Sequence, residues 1–305
     1  MQSHHNQYIE KRLVVAILIT GFIFLAELLG GYWTGSLALM SDAAHVFLDV
    51  FALLLSFFAL RLSARPADDR HTFGYHRLEV LAALVNGVTL IVVAGVILRE
   101  ALQRWVNPEP IKSVPMLAIA AIGLVANIYV ALTLRGESHR HGPTMHQHED
   151  LNMRSAFLHV VGDALSSVGV IAAAGLIYVT GMTWFDPLIS VLIGLMILLG
   201  SGRLVRRALH ILVEGTPEGI KVSDIGQTLA EVPGVHEVHD LHVWSLCSGQ
   251  ISLSAHIVMD RDTSIKQGLM LIEMNRRLIE NFGIEHTTLQ IEPEHASQVQ
   301  LIVPN

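Results

Sequence analysis

The chain has 305 residues, 51% of them hydrophobic and only 15% charged, with 20 basic against 27 acidic residues and a formal net charge of −7; its mean hydropathy is +0.49. A single cysteine, Cys247, excludes an internal disulfide or a multi-thiolate centre. The acidic balance speaks against nucleic-acid binding, which needs clustered Lys and Arg, and the apolar content excludes disorder over most of the length.

A bilayer-spanning helix needs about 20 mostly apolar residues. After a short tail, residues 1–12, six windows qualify: Leu13–Trp33, Leu37–Leu60, Val80–Leu98, Val114–Leu134, Met153–Thr180 and Trp184–Leu204. They are too long for barrel strands, so helices are predicted. Gly30-Gly31-Tyr32-Trp33 makes a poor signal-peptidase site, and the first window is read as a true span. Six spans put both termini on one side. Lys11, Arg12, Arg61, Arg65, Arg70, Arg77, Arg135, Arg140, Arg154, Arg203, Arg206 and Arg207 fall on that side, against Arg99, Arg104 and Lys112 on the other. The bias predicts cytoplasmic termini. Compact loops and no targeting extension suggest a bacterial inner membrane.

The transmembrane part is expected to occupy residues 13–215, interrupted by a polar cytoplasmic loop, 135–150, that holds His139, His141, His146 and His148. This loop and His4-His5 read as loose metal collectors or plain solvated tracts. From Pro217 the texture changes. Val222–Val232 reads as a short amphipathic helix and Val235–Leu246 as a strand. Ser248-Gly249 then reads as a turn, Ile251–Met259 as a strand alternating at period two, Ser264–Asn281 as a helix, and Thr287–Glu292 as a third strand. Residues 216–305 are therefore expected to form a small cytoplasmic α+β domain of pattern αββαβ. The fold class is an α-helical membrane protein of six transmembrane helices followed by that domain.

Only two of the 17 histidines fall inside the windows, His45 and His159, and each has an aspartate four residues later, Asp49 and Asp163. Positions i and i+4 share a helix face, so each pair can aim an imidazole nitrogen and a carboxylate at one point. Two such helices facing each other supply two nitrogens and two oxygens, which suits tetrahedral Zn2+. A charged side chain at mid-span costs about 2.5–3.5 kcal/mol even on a lenient scale, and two unrelated His–Asp pairs would be an expensive coincidence. Histidine titrates near pH 6.5, so protons compete with metal, and a site opening alternately to each side exchanges metal outward for protons inward. Aspartate also admits Cd2+, Co2+, Fe2+ or Mn2+. Glu27, Asp42, Asn86 and Asn127 read as interhelical hydrogen-bond partners or helix ends, with Asp42 able to join the polar face of His45.

The run Ser41-Asp42-Ala43-Ala44-His45-Val46-Phe47-Leu48-Asp49, with His159-Val160-Val161-Gly162-Asp163, resembles the cation diffusion facilitators of the zinc type, which carry His at position 45. Arg65-Pro66-Ala67-Asp68-Asp69-Arg70-His71-Thr72-Phe73-Gly74-Tyr75-His76-Arg77, Glu214-Gly215-Thr216-Pro217, Pro233-Gly234-Val235 and Val238-His239-Asp240-Leu241-His242-Val243-Trp244 extend the resemblance over essentially the whole chain. It implies a homodimeric metal/proton antiporter that exports Zn2+ from the cytoplasm, with a metallochaperone-like cytoplasmic domain. His45, Asp49, His159 and Asp163 match the transport site. Asp68 and His71 match a metal site in the second connection, where Tyr75 takes the place of the last ligand and His76 is a neighbouring substitute. His239, His256 and Glu292 match positions that bind regulatory metal in relatives. Strand parity agrees for His256, Glu292 and His286, but does not decide between His239 and His242. Gln290 stands where some members carry a ligand histidine.

Competing functions are a metalloprotease, a membrane-anchored metal sensor and a passive divalent-metal channel. The first lacks any His-Glu-x-x-His. The second has no use for two charged faces inside separate spans. The channel is separated from an antiporter only by whether flux runs uphill. The net charge is uneven: residues 1–215 hold 15 basic and 15 acidic groups, and residues 216–305 hold 5 and 12. Two such domains facing each other in a homodimer repel, and bound Zn2+ relieves that repulsion.

Overall fold

The computed structural model describes residues 19–135, 165–247, 249–259 and 267–293. His159, Asp163, the histidine loop, His4-His5 and Ser248 lie outside them. The helices are α1 (Ile19–Thr34), α2 (Leu37–Ser63), α3 (Arg77–Val106), α4 (Ser113–Arg135), α5 (Leu165–Thr180) and α6 (Phe185–Leu212). Among the described residues, α2, α3 and α6 are long and apolar enough to cross a membrane, and the described parts of α1, α4 and α5 add shorter apolar helices. Among the described helices, α3 and α6 run furthest beyond their hydropathy windows. α3 carries Arg99, Glu100 and Arg104 in its last turns, and α6 carries Arg206, Arg207 and His210. Backbone hydrogen bonding does not stop where apolarity does, so a hydropathy window marks the lipid-facing stretch rather than the helix.

Contacts divide the chain into two compact units, one within 1–54 and 86–202, the other within 55–85 and 203–305. In the first, the core combines Ala38, Leu39, Ala94, Ile97, Met116, Ala120, Val170, Ala173, Ile177 and Ile193. Alanines at these positions let helices approach closely where lipid offers no hydrophobic drive. The α1–α2, α3–α4 and α5–α6 connections meet at one end. Arg104 donates to the Gly35 carbonyl at 2.6 Å, Lys112 N–H donates to the Thr34 carbonyl at 3.0 Å, and the Trp105 and Trp184 rings lie 6.0 Å apart.

The start of α2 is held from α6. Ser36 Oγ accepts the Leu39 N–H at 3.1 Å and donates to Asp186 Oδ1 at 2.5 Å. Asp186 also accepts the N–H groups of Leu37 at 2.8 Å and Ala38 at 3.1 Å. One fully buried carboxylate thus satisfies two orphan amides and meets the positive end of the helix. Asp186→Ala leaves these donors unsatisfied and costs about 3 kcal/mol, read as a lowered thermal midpoint in detergent, with Asp186→Asn milder.

In the second unit, α7 (Val222–Ala230), β1 (Val235–Cys247), β2 (Gln250–Met259), α8 (Gln267–Phe282) and β3 (His286–Pro293) give the expected αββαβ order. The sheet runs β1-β2-β3, antiparallel between β1 and β2 and parallel between β2 and β3. A parallel neighbour requires a crossover, and α8 supplies it. Ile225 and Leu229 of α7 and Met270, Met274 and Leu278 of α8 pack on Val243, Leu253, Ala255 and Ile257. The helices thus cover one sheet face and leave the other to polar side chains. β2 is buried more fully than alternation predicts: Ser252 and Val258 of its opposite face are also buried, as befits the central strand.

Candidate metal centres

His45 and Asp49 lie one turn apart on α2, both half-buried. One turn before His45, Asp42 is 1% exposed and accepts hydroxyls from α5: Ser167 Oγ donates to Oδ2 at 3.0 Å and Ser166 Oγ to Oδ1. Asp42 is thus the interhelical hydrogen-bond partner its position suggests, and it ties α2 to the residues that closely follow Asp163 in sequence.

In the second connection, Asp68 and His71 come together, Oδ1 to Nδ1 at 3.2 Å, but Tyr75 shares the cluster as a donor, its hydroxyl giving a hydrogen bond to Asp68 Oδ2 at 2.7 Å. Asp68 also accepts the backbone N–H groups of Arg70 and His71 at 2.9 and 2.7 Å. Its oxygens are committed to closing this exposed turn. The Tyr75 hydroxyl first, then the His71 N–H, hold the carboxyl down at about 2. A lowered value means that the stabilisation is fully present above the ordinary carboxylate range near 3.9 and is lost as pH falls through about 2. Tyr75→Phe removes the largest contribution, and Asp68 should then titrate closer to its ordinary value, read by NMR of its carboxyl carbon.

At the base of α3, Glu79 accepts the Ser63 hydroxyl at 2.6 Å, and Arg77 pairs with Glu214 at 3.0 Å.

The polar sheet face brings His239, His256 and Glu292 within 4.8 Å of one another. Glu292 bridges the two rings: Oε1 lies 2.8 Å from His256 Nδ1 and Oε2 3.3 Å from His239 Nε2. Three strands supply the three ligands. His239 stands directly opposite His256 in the register, and His256 opposite Gln290, two residues from Glu292. Between His239 and His242 the strand bulges. His242 pairs with Ser254, so β1 has one residue more than β2 between these pairs, and both histidines face the same side. Asp240, at φ +49, absorbs the irregularity. Its carboxylate lies 2.9 Å from His242 Nε2 and 3.6 Å from His256 Nε2, at the margin of the cluster. Sequence reading missed Asp240, because parity left open which face this part of the strand presents.

His286 stays apart. It pairs with Ser252 in the register, and its ring lies against Phe73 at 5.6 Å. Six residues of strand put it about 20 Å from Glu292. Parity put it on the correct face but carried no information on position along the strand. Gln290, in place of a ligand, donates to Glu292 Oε1 at 2.9 Å. Two imidazole nitrogens and one carboxylate make a zinc-compatible donor set that leaves a fourth position for water or Asp240, which suits an exchangeable ion rather than a closed structural site.

Residues 13–213 match the profile of the cation efflux transmembrane domain. The chain belongs to the cation efflux family. Residues 217–294 match the cytoplasmic domain of cation efflux proteins. A cation efflux protein of this kind is a secondary transporter and not an enzyme. Among similar proteins, the "Cadmium, cobalt and zinc/H(+)-K(+) antiporter" of Bacillus subtilis (strain 168) is 40% identical over 296 residues, 96% of this chain and 93% of its own. "Metal cation efflux system protein CzcD" of Cupriavidus metallidurans is 40% identical over 285 residues, covering 93% and 86%. "Zinc transporter ZitB" of Pectobacterium atrosepticum is 38% identical over 292 residues, covering 95% and 88%.

Proposed function

We propose that this cation efflux protein exports Zn2+, with Cd2+ and Co2+ as further substrates, from the cytoplasm in exchange for protons by alternating access. His45 and Asp49 of α2 with His159 and Asp163 bind the ion in transit. The observation that supports this best is the bond of Asp42 to Ser166 and Ser167, which ties α5 to α2 one turn from His45. Relatives named as zinc transporters and as a cadmium, cobalt and zinc antiporter support the substrate class. Protons competing for the same histidines account for the exchange. His239, His256 and Glu292 form a regulatory site on a cytoplasmic domain, residues 216–305, that joins two copies into a homodimer. The membrane part takes residues 13–215, and both termini face the cytoplasm of a bacterial cell, across its inner membrane. Reconstitution in vesicles with an imposed pH gradient and a trapped zinc indicator tests the reading. Zinc moving uphill as protons run down their gradient is the expected result; flux that only ever runs downhill overturns it in favour of a channel.

A further inference from the structure

Glu27 belongs to none of these metal sites, yet it is 1% exposed and, among the described residues, neither of its carboxyl oxygens receives a hydrogen bond. The antiparallel contact of α1 with α2 fixes its height. Gly31 lies against Met40, and the Phe24 and Phe47 rings are 5.4 Å apart, so Glu27 stands level with Ala44, between Asp42 and His45. From the other side α4 leaves room for it: a β-carbon added at Gly123 would collide with Glu27 Oε1. A carboxyl group fills a niche that any larger residue on α4 would close.

By this register the titratable groups of α2 nearest in height to Glu27 are Asp42 and His45. Between Ser113 and Leu134 α4 carries no Asp, Glu, His, Lys or Arg, nor does the described part of α5, and His45 follows one turn further along α2. The two carboxyls differ in their partners. Asp42 accepts a hydroxyl on each oxygen. Glu27 has no donor among the described residues, and burying an unpaired charge is costly where burying a neutral carboxyl is not. A divalent cation at His45 and Asp49 changes the balance, since it brings two positive charges within about one helix spacing, 8–10 Å.

We propose that Glu27 is a proton-binding site of the transporter, protonated while the transport site is empty and deprotonated when a divalent cation binds there. The step is Glu27-COOH plus M2+ giving Glu27-COO− with bound M2+ and one H+, which leaves toward whichever side is open; release of the metal returns a proton to the carboxylate. The coupling is reciprocal: metal weakens the hold on the proton by the same factor by which the proton weakens the hold on metal. The proposal rests on the antiport reading, for which it names a carrier of the counter-ion.

The test uses the full chain in vesicles and zinc as the probe. Glu27→Gln fixes the neutral form. Zinc–zinc exchange without a pH gradient should stay near wild type, while gradient-driven accumulation falls about tenfold or more. Glu27→Asp retains part of the coupling, and Gly123→Ala, which crowds the carboxyl, loses it. Infrared difference spectra on zinc addition should show the wild type losing a protonated-carboxyl band that Glu27→Gln lacks. Full gradient-driven accumulation by Glu27→Gln overturns the proposal and leaves the antiport reading standing. A wild type without any gradient-driven accumulation overturns the antiport reading instead, and the infrared band then decides for Glu27: no wild-type band, or the same band in Glu27→Gln, sinks it. The band decides in the same way if Glu27→Gln loses exchange altogether.

Discussion

Asp49→Ala is expected to abolish zinc flux into reconstituted vesicles, and Asp163→Ala to do the same, while both proteins remain folded. The expectation follows from the number of donors. A four-ligand site made of two imidazoles and two carboxylates loses a quarter of its coordination and half of its charge when one aspartate goes. Changes in groups that merely orient a ligand cost about 10–100-fold in metal affinity, so loss of a ligand should reduce flux at least about 100-fold. Asp49 is half-buried in the middle of α2, and its removal should lower the thermal midpoint far less than it lowers flux. Asp186→Ala gives the contrast, because Asp186 is also an aspartate of the helical part but caps α2. That variant should lose stability, and any loss of flux should follow the loss of fold. Asp49→Ala that is folded and still transports zinc would remove the site assignment.

The helical plan was legible because lipid imposes one rule on every span, an apolar run long enough to cross, and six runs meet it. What that rule could not show lies where polar groups meet each other rather than lipid. Asp186 sits at the edge of a window, and nothing in its neighbours says that it caps a helix 149 residues earlier. Glu27 and Asp42 look alike as single acids in apolar runs. Only packing distinguishes the one with two hydroxyl donors from the one with none. In the cytoplasmic domain, period-two alternation correctly assigned His256 and Glu292 to one face. It could not decide between His239 and His242, because a bulge inserts a residue and resets parity for everything beyond it. Tyr75 was visible as a departure from a ligand pattern. That its hydroxyl would occupy the carboxylate of Asp68 is a fact of the turn's geometry.

Glu292→Gln should have the second largest effect, on the cytoplasmic site. Among the described residues Glu292 is the one carboxylate that reaches both histidines, at 2.8 and 3.3 Å. Neutralising it removes an oxygen ligand and the charge that offsets the ion, so zinc affinity there should fall by at least about 10–100-fold. His286→Ala, about 20 Å along the same strand, should leave it unchanged. The consequence reaches beyond the site because this domain holds 5 basic and 12 acidic residues, the whole of the chain's negative excess. Two copies brought face to face repel, and each zinc ion cancels two charges. Labels on the two cytoplasmic domains of a dimer should therefore move closer as zinc is added to the wild type. In Glu292→Gln the same approach should need at least about tenfold more zinc. Raising the salt concentration should bring the domains closer without zinc, since exposed charges more than about 8 Å apart are largely screened at physiological ionic strength. A distance that ignores both zinc and salt would mean that charge does not govern the approach. A distance that answers to salt but not to zinc would mean that His239, His256 and Glu292 are not where the metal acts.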